Sequence, residues 1–187
     1  VAAGTYAFTA RATDNSGNSS SSNPAAVTIS QNQNLCSSLG YIVSEIWLDV
    51  PDERISSIPL NTLPAFTSQL TSFEAPSNVT SDYGQRVRGY ICAPVTGSYT
   101  FYIAADNVGE LWLGTNEDPA SKRRIAHSPD WVGQREWTRY AEQKSVSINL
   151  QANTRYYIEA LHVEGGGGDN LAVGWITPGS SNITVIP

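Results

Sequence analysis

The chain has 187 residues, of which 40% are hydrophobic and 15% are charged, and its formal net charge is −6 at pH 7. This length suits one domain of ordinary size plus an additional segment, and the composition argues against wholesale disorder. The negative charge disfavours binding to nucleic acid and to anionic membrane surfaces. The sequence contains no run of eighteen apolar residues, so it predicts no membrane-spanning helix.

The first thirty residues predict a β-hairpin. Alternation over Thr5–Ala10 predicts one strand, Asp14–Asn18 a turn, and Ala26–Ser30 a second short strand. The hairpin resembles the last two strands of a bacterial immunoglobulin-like or fibronectin-like domain. Because the chain begins within a strand, we expect that it is cut from a longer precursor. An isolated hairpin is only marginally stable, so we expect it to pack on the main domain, a neighbouring molecule or a further domain.

The remaining sequence predicts a polar linker at residues 31–34 and an all-β domain at residues 35–187. Residues 51–76 predict a long loop, with one helical turn near Thr67–Leu70. Short strands separated by turns are typical of an antiparallel β-sandwich. The predicted strands are Tyr41–Asp49, Gln85–Ile91, Gly97–Ala104, Glu110–Gly114, Ser145–Leu150, Tyr156–Val163 and Leu171–Thr177, with Ile183–Ile186 as a closing edge.

The chain has two cysteines, Cys36 and Cys92, which are too few for a structural zinc site and do not form a CxxC motif. They form either one disulfide in an oxidising compartment or two buried free thiols. The composition favours the disulfide, and with it an extracellular or cell-surface location. The bridge would tie the start of the β-rich domain to the strand that precedes Cys92.

Two predicted strands lie next to an acidic–amide pair. Asp106 and Asn107 follow the strand at 97–104, and Asp169 and Asn170 follow the four glycines of Gly165–Gly168. Calcium prefers six to eight oxygen ligands, and glycines let backbone carbonyl groups approach an ion. The alternative for the second loop is a glycine-rich turn with a solvated tip. The occurrence of two such loops favours a cation site with these four side chains as metal ligands.

Two long segments carry a resemblance to a known family. RVRGYICAPVTGSYTFYIAADNVGELWL and YYIEALHVEGGGGDNLAVGW are similar to the domain named after the anthrax protective antigen (the PA-fourteen domain), especially the copies in long secreted bacterial proteins. The resemblance extends over Leu35–Pro187 and implies a twisted β-sandwich, or flattened barrel, of antiparallel strands. It also implies that the two loops lie side by side at one end. Other members are accessory modules of glycosidases or a removable structural domain of the toxin.

The sugar-binding members, yeast flocculins and epithelial adhesins, bind sugars through calcium. Their first loop carries two aspartates joined by a cis peptide bond, and the matching positions here are Asp106 and Asn107. Asn107 departs from that pattern. Because one negative charge is lost, we expect weaker calcium binding.

A sugar site also needs an aromatic ring against which the sugar can pack. Trp131, in the loop HSPDWVGQREW, is the preferred candidate, ahead of Trp137, Tyr140 and Tyr83. The predicted ligand-binding residues are therefore Asp106, Asn107, Gly167, Gly168, Asp169 and Trp131.

Catalysis has little support in the sequence. GxSxG and HExxH motifs are absent, and no acidic pair is identifiable as a glycosidase dyad. His162 shares a strand face with Tyr156, Ile158 and Ala160, which predicts a partly buried, hydrogen-bonded histidine.

The sequence thus predicts a non-catalytic extracellular module that uses calcium to bind cell-surface or matrix carbohydrate, as in adhesion. One alternative is a structural subunit of an extracellular filament, in which the hairpin at 1–30 adds its strands to a neighbouring copy of the chain. Another is an accessory module of a secreted glycoside hydrolase.

Overall fold

The computed structural model describes residues 4–29, 36 and 40–187, which belong to two compact units, Val1–Leu35 and Cys36–Pro187. The predicted linker at 31–34 and residues 1–3 of the predicted hairpin lie outside the described residues. The relation of residues 1–30 to an immunoglobulin-like domain stays a prediction. Within the described ranges, no helix is long and apolar enough to cross a membrane.

Residues 4–29 of the first unit form four short strands where the sequence predicts two. β1 (Gly4–Phe8) pairs antiparallel with β4 (Ala25–Ile29), and β2 (Arg11–Thr13) pairs antiparallel with β3 (Ser19–Ser21). The turn between β2 and β3 is built on Asp14, whose Oδ1 accepts the backbone N–H groups of Ser16 and Asn18 at 2.9 and 2.8 Å. Such a side-chain bond to the following backbone is the reason aspartate favours turns.

The second unit is built from two antiparallel sheets. Its strands in chain order are β5 (Ile42–Leu48), β6 (Phe66–Leu70), β7 (Tyr83–Cys92), β8 (Gly97–Asp106), β9 (Val108–Leu113), β10 (Arg123–Ser128), β11 (Ile148–Leu150), β12 (Arg155–Glu164), β13 (Asn170–Ile176) and β14 (Thr184–Val185). One sheet has the order β10-β9-β12-β7-β5-β6, and the other has the order β11-β8-β13-β14. Both sheets therefore pair strands that are distant in sequence, such as β9 with β12 and β8 with β13.

The main hydrophobic core lies between these sheets. Tyr99, Phe101 and Ile103 alternate along β8 and are fully buried, and Ile158 and Ala160 of β12 belong to the same cluster. Fully burying a large apolar side chain contributes about 1.5–3 kcal/mol. This two-layer arrangement confirms the predicted all-β antiparallel sandwich.

A second apolar cluster lies on the opposite side of the six-stranded sheet. It contains Trp47 and Leu161 from the strands together with Ile58 from the loop that follows β5. Gly84 of β7 permits this contact, since an ideal Cβ there would lie only 2.7 Å from Ile58 Cγ1. The packed loop brings Glu53 against Gly165, at the start of the predicted glycine loop.

The predicted disulfide is confirmed. Cys36 and Cys92 are bonded, with their Cα atoms 5.5 Å apart and a sequence separation of 56. The bond ties the start of the second unit to the end of β7.

Three details of the predicted secondary structure are wrong. Thr67–Leu70 is part of the edge strand β6, not a helical turn, and the 3-10 turn of this loop lies at Ile55–Ser57. β6 is mostly exposed, so it lacks the alternation that marks a half-buried strand. β10 is not among the predicted strands, and only Ile148–Leu150 of the predicted strand at 145–150 pairs with β8.

Candidate functional site

The first predicted loop begins at the end of β8, and the peptide bond between Asp106 and Asn107 is cis, as the resemblance implies. Asp106 lies directly opposite Asn170 in the register between β8 and β13. Residues directly opposite each other in an antiparallel pair share one face of the sheet. The Asp106 carboxylate and the Asn170 amide therefore lie on the same face.

Asn107 joins the first loop to the second. Its backbone N–H donates to the carbonyl oxygen of Val163 at 3.2 Å, and its Oδ1 accepts the backbone N–H of Gly165 at 3.0 Å. The two predicted loops thus lie side by side. An amide oxygen has two lone pairs, so Asn107 Oδ1 can still bind a cation while it accepts this bond.

Asp169 is held by a segment that the sequence analysis does not identify. Its two carboxylate oxygens accept the backbone N–H groups of Asn78 and Val79, the latter at 2.7 Å. Gly167 has a φ of 109°, a conformation that strongly favours glycine. An ideal Cβ built on Gly168 would lie 3.4 Å from Asn78 Oδ1, so the glycine loop runs close to the same segment. Asp169 therefore fixes the shape of the glycine loop, besides adding negative charge.

Asn170 presents an unused oxygen. Its Nδ2 donates to the carbonyl oxygen of Val132 at 2.9 Å, which fixes the orientation of the buried amide. Its Oδ1 is buried and has no hydrogen-bond partner in the described part of the chain. Leaving a buried acceptor unpaired costs about 1–3 kcal/mol. A bound cation or donor group would remove that cost.

Glu164 is the main site residue that the sequence analysis misses. Only 1% of the residue is exposed, and neither carboxylate oxygen has a hydrogen-bond partner of good geometry among residues 4–29, 36 and 40–187. Burial and the charges of Asp106, Asp169 and Glu53 raise the pKa of the Glu164 carboxyl to about 7, against a smaller opposing effect of the Gly166 backbone N–H. An unpaired buried carboxylate is costly unless it meets a cation or takes up a proton.

A signal for Glu164 is present in the sequence. Ile158, Ala160 and His162 alternate on the inward face of β12, and the same period of two places Glu164 next on that face. The predicted strand ends at Val163, one residue too early, so this position is not recognised as inward-facing.

His162 contacts the backbone of the first loop. The prediction of a partly buried side chain is wrong, because the residue is completely buried, and burial lowers the pKa of its imidazole. Its Nε2–H donates to the carbonyl oxygen of Asp106 at 2.5 Å. The edge of the Tyr83 ring lies against the imidazole, with centroids 5.6 Å apart. Burial and the nearby charge of Asp169 raise the pKa of the Tyr83 hydroxyl.

The acidic groups at this end of the sandwich influence one another. Burial raises the pKa of the Asp106 carboxyl, and the neighbouring charges of Asp169, Asp130 and Glu53 raise it further. A divalent cation would relieve this repulsion.

The donor set fits a hard cation such as calcium, which prefers oxygen ligands. Asp106 and Glu164 offer carboxylates, and Asn107 and Asn170 offer amide oxygens. In the described residues, no three His, Cys, Asp or Glu side chains form a metal site by themselves. Amide, backbone and external oxygens would therefore have to complete the coordination.

Trp131 lies beside this site and is 49% exposed. The next residue, Val132, donates its backbone N–H to Ala105 at 3.1 Å and accepts the Asn170 side chain through its carbonyl oxygen. One face of the Trp131 ring is covered by the Arg139 guanidinium, whose Cζ lies 3.8 Å from the ring centroid. The predicted aromatic platform is present but carries a stacked cation.

Two other aromatic candidates, Tyr83 and Trp137, pack against the rest of the domain. Tyr83 is 2% exposed and lies in β7, so its prediction as an accessible platform is wrong. Trp137 is half-buried and packs over Gly174, where an ideal Cβ would lie 3.2 Å from its Cη2 atom.

A shallow polar groove of about 400 Å³ lies next to the segment that holds Asp169. Ser77, which precedes Asn78, lines one side, and Gln134, from the loop that carries Trp131, lines another. Glu74 joins the two sides through hydrogen bonds from Gln134 and Arg135. The groove therefore adjoins the Asn78–Val79 segment on the protein surface.

Residues 83–176 match the GLEYA domain family, and this match spans half of the chain and all four predicted metal ligands. The chain belongs to the GLEYA domain family. Its GLEYA domain therefore contains both the Asp106–Asn107 loop and the glycine loop with Glu164.

The chain also resembles a mouse protein. It is 34% identical over 99 residues to the Mus musculus protein N-acetyl-beta-glucosaminyl-glycoprotein 4-beta-N-acetylgalactosaminyltransferase 1. The alignment covers 50% of this chain but only 10% of the mouse protein. The chain thus spans a small part of that relative.

Two solved structures share the fold. The PA14 sugar-binding domain from an RTX adhesin has a TM-score of 0.59 and 11% identity, with 80% of this chain and 96% of that chain covered. The Epithelial Adhesin 6 A domain from Candida glabrata, in complex with Galb1-3GlcNAc, has a TM-score of 0.53 and 14% identity, with 78% and 83% covered. The predicted PA-fourteen fold of the second unit is confirmed.

Proposed function

We propose that this protein is a non-catalytic, extracellular carbohydrate-binding module that holds its sugar through a calcium ion. In this proposal Asp106, Asn107, Glu164 and Asn170 supply oxygens to the ion. Asp169 supplies charge, holds the glycine loop and can offer a remaining lone pair. The ion would supply a positive centre that accepts sugar hydroxyl oxygens at its open positions.

The observation that carries the proposal is the buried Glu164 carboxylate, which forms no ion pair with any described residue. Its two oxygens are buried beside the negative charges of Asp106 and Asp169, and none of the charged groups that shift its pKa is basic. Burying an unpaired charge in this way is unfavourable unless a cation binds or a proton is retained. The unpaired amide oxygen of Asn170 provides a second, neutral ligand of the kind that calcium accepts.

The ligand class is supported by the proteins with the same fold. One carries the name of a sugar-binding domain from an adhesin, and another is a complex with Galb1-3GlcNAc. The Cys36–Cys92 disulfide supports an oxidising, extracellular setting. These points favour carbohydrate as the partner and adhesion as the biological context.

The proposal is tested by binding of the purified chain to an array of immobilised glycans, in calcium and in EDTA. We expect binding to at least one glycan in calcium, its loss in EDTA, and its loss in Asp106→Ala and Glu164→Gln. Glu142→Gln is a matched control, because Glu142 is exposed and lies outside the proposed ligand set. Binding that persists in EDTA, or an array without any bound glycan, would contradict the proposal.

The non-catalytic part has its own measurement. Each bound glycan is incubated with the protein and analysed by mass spectrometry, and we expect its mass to remain unchanged. A truncated or extended product would show catalysis.

A second candidate function is assembly by strand addition through the first unit. The strands β1 and β4 carry exposed apolar side chains, with Phe8 58% and Val27 47% exposed. Exposed apolar strands are common sites of pairing between chains. Sedimentation and electron microscopy would show oligomers or filaments that disappear in Phe8→Ser/Val27→Ser, whereas a monomer at all concentrations would exclude this role.

A further inference from the structure

The Arg139 guanidinium has a fixed position beside the candidate sugar site. Its Cζ lies 3.8 Å from the centroid of the Trp131 ring and 5.6 Å from that of Tyr140. Only 32% of the Arg139 side chain is exposed. Stacking of this kind holds the planar group in one orientation, which reduces the entropy lost when its donors bind a ligand.

The hydrogen-bond donors of Arg139 are not taken up by a close acidic partner. Its nearest carboxylate is that of Glu136, at 4.0 Å, and no hydrogen bond from the guanidinium is formed to the described residues. Arg135, in the same loop, differs because its Nε donates to the Glu74 carboxylate at 2.8 Å and its Nη2 donates at 2.5 Å. Arg139 therefore keeps donors for an external acceptor.

The position of Trp131 places this cation near the proposed calcium ligands. Asp130 and Val132 flank Trp131, and Val132 is bonded to both Ala105 and Asn170. The stacked guanidinium thus lies at the border of the same site, on the side of the aromatic platform.

We propose that Arg139 determines specificity by binding the carboxylate of an acidic sugar whose hydroxyl groups are held at the calcium site. This inference rests on the proposed function and names its substrate class. The guanidinium is planar, and two parallel N–H groups match the two oxygens of a carboxylate. A neutral sugar would leave these donors to water.

Charge makes this residue necessary for an acidic ligand. The chain has a net charge of −6, and Asp106, Asp130 and Glu53 surround the site with negative charge. An acidic sugar would be repelled by these groups. Arg139 offsets the repulsion on the platform side, as a bound calcium ion would on the loop side.

The test uses matched pairs of probes, because the sugar itself is not identified. The methyl glycosides of glucose, galactose and mannose are compared with those of glucuronic, galacturonic and mannuronic acid, in calcium, by calorimetry or competition. We expect at least one acid to bind about ten-fold more tightly than its neutral counterpart, as charge-assisted hydrogen bonds allow. Arg139→Gln should remove this preference, so that the acidic and the neutral member of the pair bind with equal affinity.

Arg139→Lys separates geometry from charge. It keeps the positive charge but loses the paired donors, so we expect it to retain only part of the preference. Far-UV circular dichroism and thermal unfolding should show that both variants are folded.

Two outcomes have separate meanings. Equal binding of acid and neutral members, or a preference that survives in Arg139→Gln, overturns the inference and leaves the proposed function intact. The absence of calcium-dependent binding by every probe, together with an empty glycan array, overturns both.

Discussion

Replacing Glu164 by glutamine should have opposite effects with and without calcium. The folded-state pKa of Glu164 is about 7, compared with an ordinary value of 4.5. Because the folded chain holds this proton more tightly than the unfolded chain, the stability of the calcium-free protein falls as pH rises from 4.5 to about 7. The difference corresponds to at most about 3 kcal/mol of unfolding free energy, which is lost in full above pH 7.

Glutamine has nearly the same shape and cannot ionise. At pH 8 in EDTA, we therefore expect Glu164→Gln to be more stable than the natural chain by about 1–3 kcal/mol. At pH 4.5 the two should be equally stable. In saturating calcium at pH 8 the order of stability should reverse. Bound calcium stabilises the folded form, and the natural chain binds it more tightly because it keeps the Glu164 carboxylate.

The assay is urea unfolding followed by tryptophan fluorescence at both pH values, with EDTA or calcium. Glu142→Gln is the control, since Glu142 lies on the exposed surface, and it should follow the natural chain in all four conditions. The reasoning is refuted if Glu164→Gln is no more stable than the natural chain at pH 8 in EDTA. Equal stabilisation of both proteins by calcium would refute the assignment of Glu164 as a ligand.

Three further predictions concern the loop, the disulfide and the packing of the sheet. Asn107→Asp adds a negative charge and can still accept the Gly165 N–H, so calcium affinity measured by calorimetry should increase; an unchanged or weaker affinity would exclude Asn107 from the site. Cys36→Ser removes a bond that spans 56 residues and should lower the unfolding free energy by about 4 kcal/mol in urea titrations, whereas a loss below about 1 kcal/mol would show that the bridge adds little. Gly84→Ala places a Cβ 2.7 Å from Ile58 Cγ1 and should cost about 1–3 kcal/mol in the same assay; a neutral result would mean that the 51–65 loop moves away easily.

The sequence was sufficient for the features that depend on local pattern. Alternation along β8 and β12 predicts strands and their buried faces, and the acidic–amide pairs mark the two loops that meet at one end of the sandwich. The edge strand β6 was not recognised, because its largely exposed side chains carry little alternation.

The missing parts of the site depend on contacts between distant residues. Asp169 is held by the backbone of Asn78 and Val79, 90 residues or more away in sequence, and backbone donors leave no signature in residue type. Arg139 reaches Trp131 across a loop without period, so its stacking is visible only in three dimensions. Glu164 differs, since the strand period would have placed it inward had the strand been extended by one residue.

Calorimetric titration of calcium into the natural chain and into Asp106→Ala tests the central claim most directly. The account predicts one site with micromolar to low-millimolar affinity in the natural chain. It predicts no measurable binding in the variant, which should retain the circular dichroism spectrum of the natural chain. Absence of binding in the natural chain, or equal binding in both proteins, would contradict a cation site at the Asp106–Asn107 loop.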